Sequence, residues 1–134
     1  MLSSQKLLIV GGTGFIGSYL ANEALSRGFE VTVLSLNSKK IKQNNRDIEY
    51  LSADITNLEK LSIVLEKKLF HHVVNLGGYI IHSSFSKGGN KVFDVHFMGL
   101  YNLVKCTNRR ELKSFIQIGS SDEYGSNAAP QYEN

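Results

Sequence analysis

Four glycines near the amino terminus carry the first chemical suggestion: Gly11, Gly12, Gly14 and Gly17. Gly12, Gly14 and Gly17 fit G-x-G-x-x-G, while Gly11, Gly14 and Gly17 fit G-x-x-G-x-x-G. Both patterns serve one purpose. One glycine permits a tight strand-to-helix turn, and a second lets the backbone approach a pyrophosphate with no Cβ in the way. A third lets helix and strand pack closely. The pyrophosphate then rests on N–H groups at a helix N-terminus. Ser18 follows Gly17 where a mononucleotide P-loop needs lysine, which disfavours that site. A glycine-rich turn that binds nothing is the plain alternative.

The second chemical position lies one strand later. A fold built for NAD usually sets an acid about 20 residues past the loop, on the ribose 2′-hydroxyl. Ser35 holds that place, and no acid occurs from Val31 through Arg46. Lys39, Lys40, Lys42 and Arg46 follow instead. A serine hydroxyl with cations beside it, Lys39 among them, suits a 2′-phosphate better than a bare hydroxyl. The expectation is therefore NADP or NAD, leaning to NADP. A solvated basic loop is the competing reading of the same lysines.

These residues need elements to position them. Leu7–Val10 is an all-apolar run, as a strand buried on both faces should be. A helix is expected from Phe15 to Arg27, with Ile16, Leu20 and Ala24 on its apolar face and Gly28 at its C-terminal stop. Further strands are expected at 31–34, 48–51, 72–76 and 115–118, with 37–47 as a surface loop. Thr56-Asn57-Leu58-Glu59 has capping-box spacing for a helix carried by Leu58, Leu61 and Leu65. A long helix is expected over 92–106, and loop from Gly119 onward. Strands alternating with helices imply an α/β, doubly wound parallel sheet, the Rossmann NAD(P)-binding fold, which binds ligand at the carboxyl ends of its strands. Repeats and low-complexity segments are absent.

Length and composition agree. The 134 residues suit one domain, and 42% hydrophobic content supports a buried core. The net charge of +3 is dispersed, with no basic run of five, so nucleic acid is not an expected partner. The single cysteine, Cys106, excludes an internal disulfide and reads as a helix residue packed inward. No apolar run approaches a membrane span, and residues 1–6 lack a signal-peptide pattern, so the expected setting is a soluble, cytoplasmic one without membrane contact.

Val10-Gly11-Gly12-Thr13-Gly14-Phe15-Ile16-Gly17 resembles the fingerprint of the extended short-chain dehydrogenase/reductases, the NAD-dependent epimerase/dehydratase family. Four further blocks agree in order: Ala53-Asp54-Ile55, Asn75-Leu76-Gly77-Gly78, Gly99-Leu100-Tyr101-Asn102-Leu103, and Ile118 through Gly125. The resemblance implies hydride exchange between a nicotinamide and a sugar hydroxyl carbon of a nucleotide-sugar, with a tyrosine as base, a serine or threonine beside it and a lysine lowering the tyrosine pKa. It implies that Gly11, Gly12, Thr13, Gly14, Phe15, Ile16, Gly17, Asp54, Ile55, Leu76, Gly77 and Gly78 hold the cofactor, beside the Ser35 and Lys39 read above from the second strand and the loop after it. Ser120 matches the catalytic serine, with Ser121 the fallback. Asp122 falls on one of the two acidic positions of the sugar dehydratases, with Glu123 beside it.

The family's Tyr-x-x-x-Lys is expected after Ser120 and has no match there, since Tyr124 has Ala128 four residues on. Tyr101 and Lys105 have the spacing but precede Ser120, and read as ordinary helix surface. The expectation is therefore the cofactor-binding, N-terminal part of a longer architecture, spanning 1–134, with the substrate-binding part absent and autonomous turnover not expected. A non-catalytic dinucleotide-binding sensor or scaffold is the alternative. A homodimer, or association through an exposed sheet edge, is a further option. The family usually has asparagine where His96 stands; His96 retains the ability to hydrogen-bond a backbone group. His71, His72 and His82 lack metal-ligand spacing.

Overall fold

The computed structural model describes residues 4–37, 45–80, 84–120, 125, 126, 128 and 130. Strand β1 (Lys6–Val10) buries four successive side chains because both of its faces are covered. Leu7 and Ile9 enter one core, with Val31 and Val33. Leu8 and Val10 enter the other, with Leu34 and Val73. This alternation follows from the period of two along a strand. Around β1 lie β2 (Glu30–Ser35), β3 (Glu49–Ser52), β4 (His72–Asn75) and β5 (Ser114–Gln117), in the order β3-β2-β1-β4-β5. Every pairing is parallel. The order reverses between β1 and β4, which is where such a sheet opens a crevice at its carboxyl ends. The doubly wound sheet expected from sequence is the observed one, with each strand boundary within about one residue.

Helix α1 (Phe15–Ser26) covers the first core, and α2 (Leu58–Leu65) and α4 (Gly99–Cys106) the second. The buried face of α1 is Gly17, Ala21 and Ala24, with Leu20 half-buried and Ile16 exposed. This corrects the expected stripe of Ile16, Leu20 and Ala24. Small residues face the sheet because the helix must come close to the glycine loop. At its end, Gly28 has φ +83°, its N–H bonds to Leu25 O, and the Phe29 N–H bonds to Ala24 O. That is a Schellman stop, as the glycine suggested.

Helix α2 is capped one residue later than expected. Asn57, not Thr56, is the N-cap, its side chain accepting the Lys60 N–H at 3.0 Å. The Thr56 hydroxyl is taken up elsewhere, by Asp54. The long helix begins earlier than expected and is three contiguous segments: α3 (Asn90–Phe93), a π-turn (Asp94–Met98) and α4. Among the described residues no helix is long and apolar enough to cross a membrane.

Candidate functional site

A cleft of about 880 Å³ opens at the carboxyl ends of β1, β2 and β4. Its floor is the β1–α1 loop. Gly11 takes φ +75°, donates its N–H to Leu34 O at 2.8 Å, and accepts the Gly14 N–H at 3.0 Å. The turn is thereby tied to β2 at Leu34 and closed on itself between Gly11 and Gly14. A Cβ on Gly11 would stand 3.0 Å from the Leu76 carbonyl carbon, so β4's end also presses on this loop. Thr13 and Gly14 line the cleft beside it.

The remaining loop residues do something different. A Cβ on Gly12 would meet the Val33 methyls at 2.7 and 2.8 Å. One on Gly17 would meet Gly11 O and Gly12 Cα at 2.5 Å each. These two glycines let α1 seat against the loop and β2, and neither lines the cleft. Phe15 and Ile16 have exposed side chains in the first turn of α1, where the leading N–H groups have no intrahelical acceptor.

The wall from β2 is Ser35. It is 8% exposed, and its Oγ has no hydrogen-bond partner among the described residues. A buried hydroxyl without a partner is uncommon, and here it sits directly behind the cleft wall that Ser35 forms. Across from it, Asp54 and Ile55 line the cleft in the turn between β3 and α2. Asp54 Oδ1 accepts from the Thr56 N–H at 2.9 Å and the Thr56 hydroxyl at 2.7 Å, which fixes the turn. The fourth wall is Leu76, Gly77 and Gly78, continuing β4.

Of the residues expected to hold cofactor, Gly11, Thr13, Gly14, Ser35, Asp54, Ile55, Leu76, Gly77 and Gly78 are thus brought together. Lys39 lies outside the described residues, as do Ser121, Asp122, Glu123 and Tyr124. Ser120 is exposed just past β5, outside the residues lining the cleft. Tyr101 is 55% exposed on α4, with Lys105 Nζ 5.9 Å from its ring centroid. Among the described residues no group of three or more His, Cys, Asp or Glu side chains is placed to hold a metal ion.

Five residues at or behind the cleft carried no role in the sequence reading. Buried Asn75 turns its Oδ1 to the Gly77 N–H at 3.0 Å and its Nδ2 to Gln117 Oε1 at 2.7 Å, bracing the β4 wall. Buried Asn102 on α4 donates to Ile55 O at 3.0 Å and Thr56 O at 3.2 Å, bracing the β3–α2 wall. Tyr79, Lys91 and Asp94 complete the cleft's outer rim. The signal for the asparagines was their place in motif blocks; the rim carried none.

The glycine turn and Ser35 thus meet in one cleft at the switch in strand order. Residues 7–134 match the family described as NAD dependent epimerase/dehydratase. A bifunctional UDP-glucose 4-epimerase and UDP-xylose 4-epimerase from Pisum sativum is 24% identical over 92% of this chain and 39% of its own length. A short chain dehydrogenase from Leptospira borgpetersenii, solved with bound NAD+, is 25% identical with a TM-score of 0.68, covering 78% of this chain and 44% of that one. An epimerase from Methanothermobacter thermautotrophicus is 22% identical with a TM-score of 0.80, covering 97% of this chain and 40% of that one, and shares the fold. The chain therefore spans about two-fifths of the length of these relatives. It belongs to the NAD-dependent epimerase/dehydratase family.

Proposed function

We propose that the cleft binds a nicotinamide dinucleotide, NADP in preference to NAD, as the cofactor-binding part of a sugar-nucleotide epimerase, dehydratase or reductase. The observation that carries the reading is the cleft itself, whose floor is a glycine turn and whose β2 wall is Ser35, a residue with a buried hydroxyl that has no partner among the described residues. Gly11, Thr13 and Gly14 would cradle the pyrophosphate. Asp54 and Ile55 would flank the adenine, and Leu76, Gly77 and Gly78 the far ribose and ring. Ser35 would donate to the 2′-phosphate, with Lys39 as its counter-charge. When bound, the nicotinamide supplies the hydride acceptor. Ser120, following β5, would hydrogen-bond the reacting sugar oxygen, and Asp122 would serve as the acid partner of a dehydration.

Isothermal titration of the chain with NADP+ and with NAD+ tests this. NADP+ is expected to bind several-fold tighter. Ser35→Ala should weaken NADP+ binding roughly tenfold, the worth of one hydrogen bond to a charged group. Its unfolding free energy should hold within about 0.5 kcal/mol, because no described bond is lost. NAD+ binding as tightly as NADP+ overturns the preference. Binding of neither overturns the dinucleotide reading.

A further inference from the structure

His96 stands in the middle of the π-turn, and its ring lies against the loop that forms the cleft's rim. Its Nε2 is 3.0 Å from Tyr79 N and 3.2 Å from Tyr79 O. Gly78 makes room for it, since a Cβ there would stand 3.2 Å from His96 Cε1. Lys91, one turn earlier, places its Nζ 4.8 Å from the Tyr79 ring centroid. The segment 77–79 is thus fastened to the helix at two points. Gly77, Gly78, Tyr79 and Lys91 all line the cleft. A π-turn is a local departure from helical geometry that recurs at functional sites. Here it falls where the helix meets that rim.

One ring nitrogen cannot serve both atoms of Tyr79 at once. Without a proton, Nε2 accepts the Tyr79 N–H. With one, it donates to the Tyr79 carbonyl and the N–H loses that acceptor. Histidine is the side chain whose charge ordinarily changes between about pH 5 and 8. We propose that His96 is a positioning residue for the dinucleotide cleft: neutral, with its one ring proton on Nδ1, it holds segment 77–79 through the Tyr79 N–H, and a second proton, on Nε2, turns the contact to the Tyr79 carbonyl, leaves the N–H without that acceptor and weakens dinucleotide binding. The inference rests on the dinucleotide reading above. The other titratable and charged side chains lining the cleft are Tyr79 on the loop, Lys91 and Asp94 on the helix, and Asp54 on the β3–α2 turn. An asparagine at position 96 would offer an acceptor and a donor without titrating. Histidine adds the proton dependence.

Two readouts on the whole chain separate the parts. The first is NAD+ affinity at about pH 5.5 and about pH 8, NAD+ being used because it lacks the 2′-phosphate that titrates in the same range. The wild type should bind roughly three- to tenfold more weakly at the lower pH, the worth of one hydrogen bond. His96→Asn should bind equally at both, near the wild-type value at the higher pH, and His96→Leu should bind weakly at both. The second readout is the Tyr79 amide resonance of the ligand-free protein, which should move across this range in the wild type and stay in His96→Asn. A Tyr79 amide that does not move overturns the positioning role whatever NAD+ does. A moving amide with pH-independent NAD+ affinity overturns the coupling. If neither NAD+ nor NADP+ binds at any pH, the dinucleotide reading fails and takes the coupling with it. The amide then still reports whether His96 holds the loop.

Discussion

Gly17→Ala sets two opposing tendencies against each other. Gly17 is the third residue of α1, and alanine is favoured over glycine inside a helix by about 1 kcal/mol. Propensity alone therefore predicts a more stable protein. Packing predicts the reverse. The new Cβ would stand 2.5 Å from Gly11 O, 2.5 Å from Gly12 Cα and 2.9 Å from Gly12 C. All three are backbone atoms, so no side-chain rotation relieves the clash. Ordinary contact at 3.4 Å requires helix and loop to part by about 0.9 Å. Overpacking of this kind costs about 1–3 kcal/mol, and the propensity gain offsets part of it. The net expectation is a loss of about 1–2 kcal/mol, a fall in melting temperature of roughly 3–8 °C. Urea unfolding measures it as a lower midpoint at unchanged slope. Dinucleotide affinity should fall as well, because the displaced loop carries Gly11 and Gly14. Gly28→Ala is the control: with φ +83° and nothing within 4 Å, its cost is torsional, about 1 kcal/mol, and binding should survive. A Gly17→Ala protein as stable as the wild type or more so, with binding intact, would refute the packing argument.

Three further outcomes are expected. Asn57→Ala should lower stability by about 1 kcal/mol in urea unfolding, and Glu59→Ala by much less, because the cap is the Asn57 side chain on the Lys60 N–H; the opposite ranking would restore the capping box. Asn102→Leu should cost about 1–3 kcal/mol, since it strips the amide from the Ile55 and Thr56 carbonyls, and a neutral result would mean that other groups satisfy them. Burial pushes the Cys106 thiol up, with Lys105 opposing more weakly. A raised pKa means less thiolate near pH 8, so iodoacetamide should alkylate Cys106 more slowly in the native chain than in urea, and equal rates would contradict its burial.

What was legible in the sequence followed from strong local rules. An all-apolar tetrapeptide before a glycine cluster admits little but a doubly buried strand and a tight turn, and β1 with Gly11 is that. Gly28 was legible because only one backbone conformation needs it there. The buried face of α1 was not. A search for large apolar side chains selects Ile16, whereas contact with the loop demands a bare residue at Gly17, and the helix seated that close buries the small Ala21 and Ala24 against the sheet. The cap on α2 failed for a related reason. Thr56 and Asn57 are both good caps, and the choice was made by Asp54, which engages the threonine first.

Buried Asn75 and Asn102 show why the cleft itself was only half visible. At the carboxyl ends of the strands the ladder stops, and the chain must turn without sheet partners for its peptide groups. A buried peptide group left alone costs about 1–3 kcal/mol, so side chains have to replace the ladder. Asn75 does so for Gly77, and Asn102 for Ile55 and Thr56. Both bonds fix backbone that lines the cleft, from positions that do not line it themselves. In sequence each is a single amide in a mostly apolar stretch, Val73–Leu76 and Gly99–Leu103. That pattern names a buried amide but not its partner, which for Asn102 lies 47 residues away. Ser35 is the converse case. It is buried in the same way, yet its hydroxyl meets no described backbone, which is why the missing partner is sought in a ligand rather than in the fold.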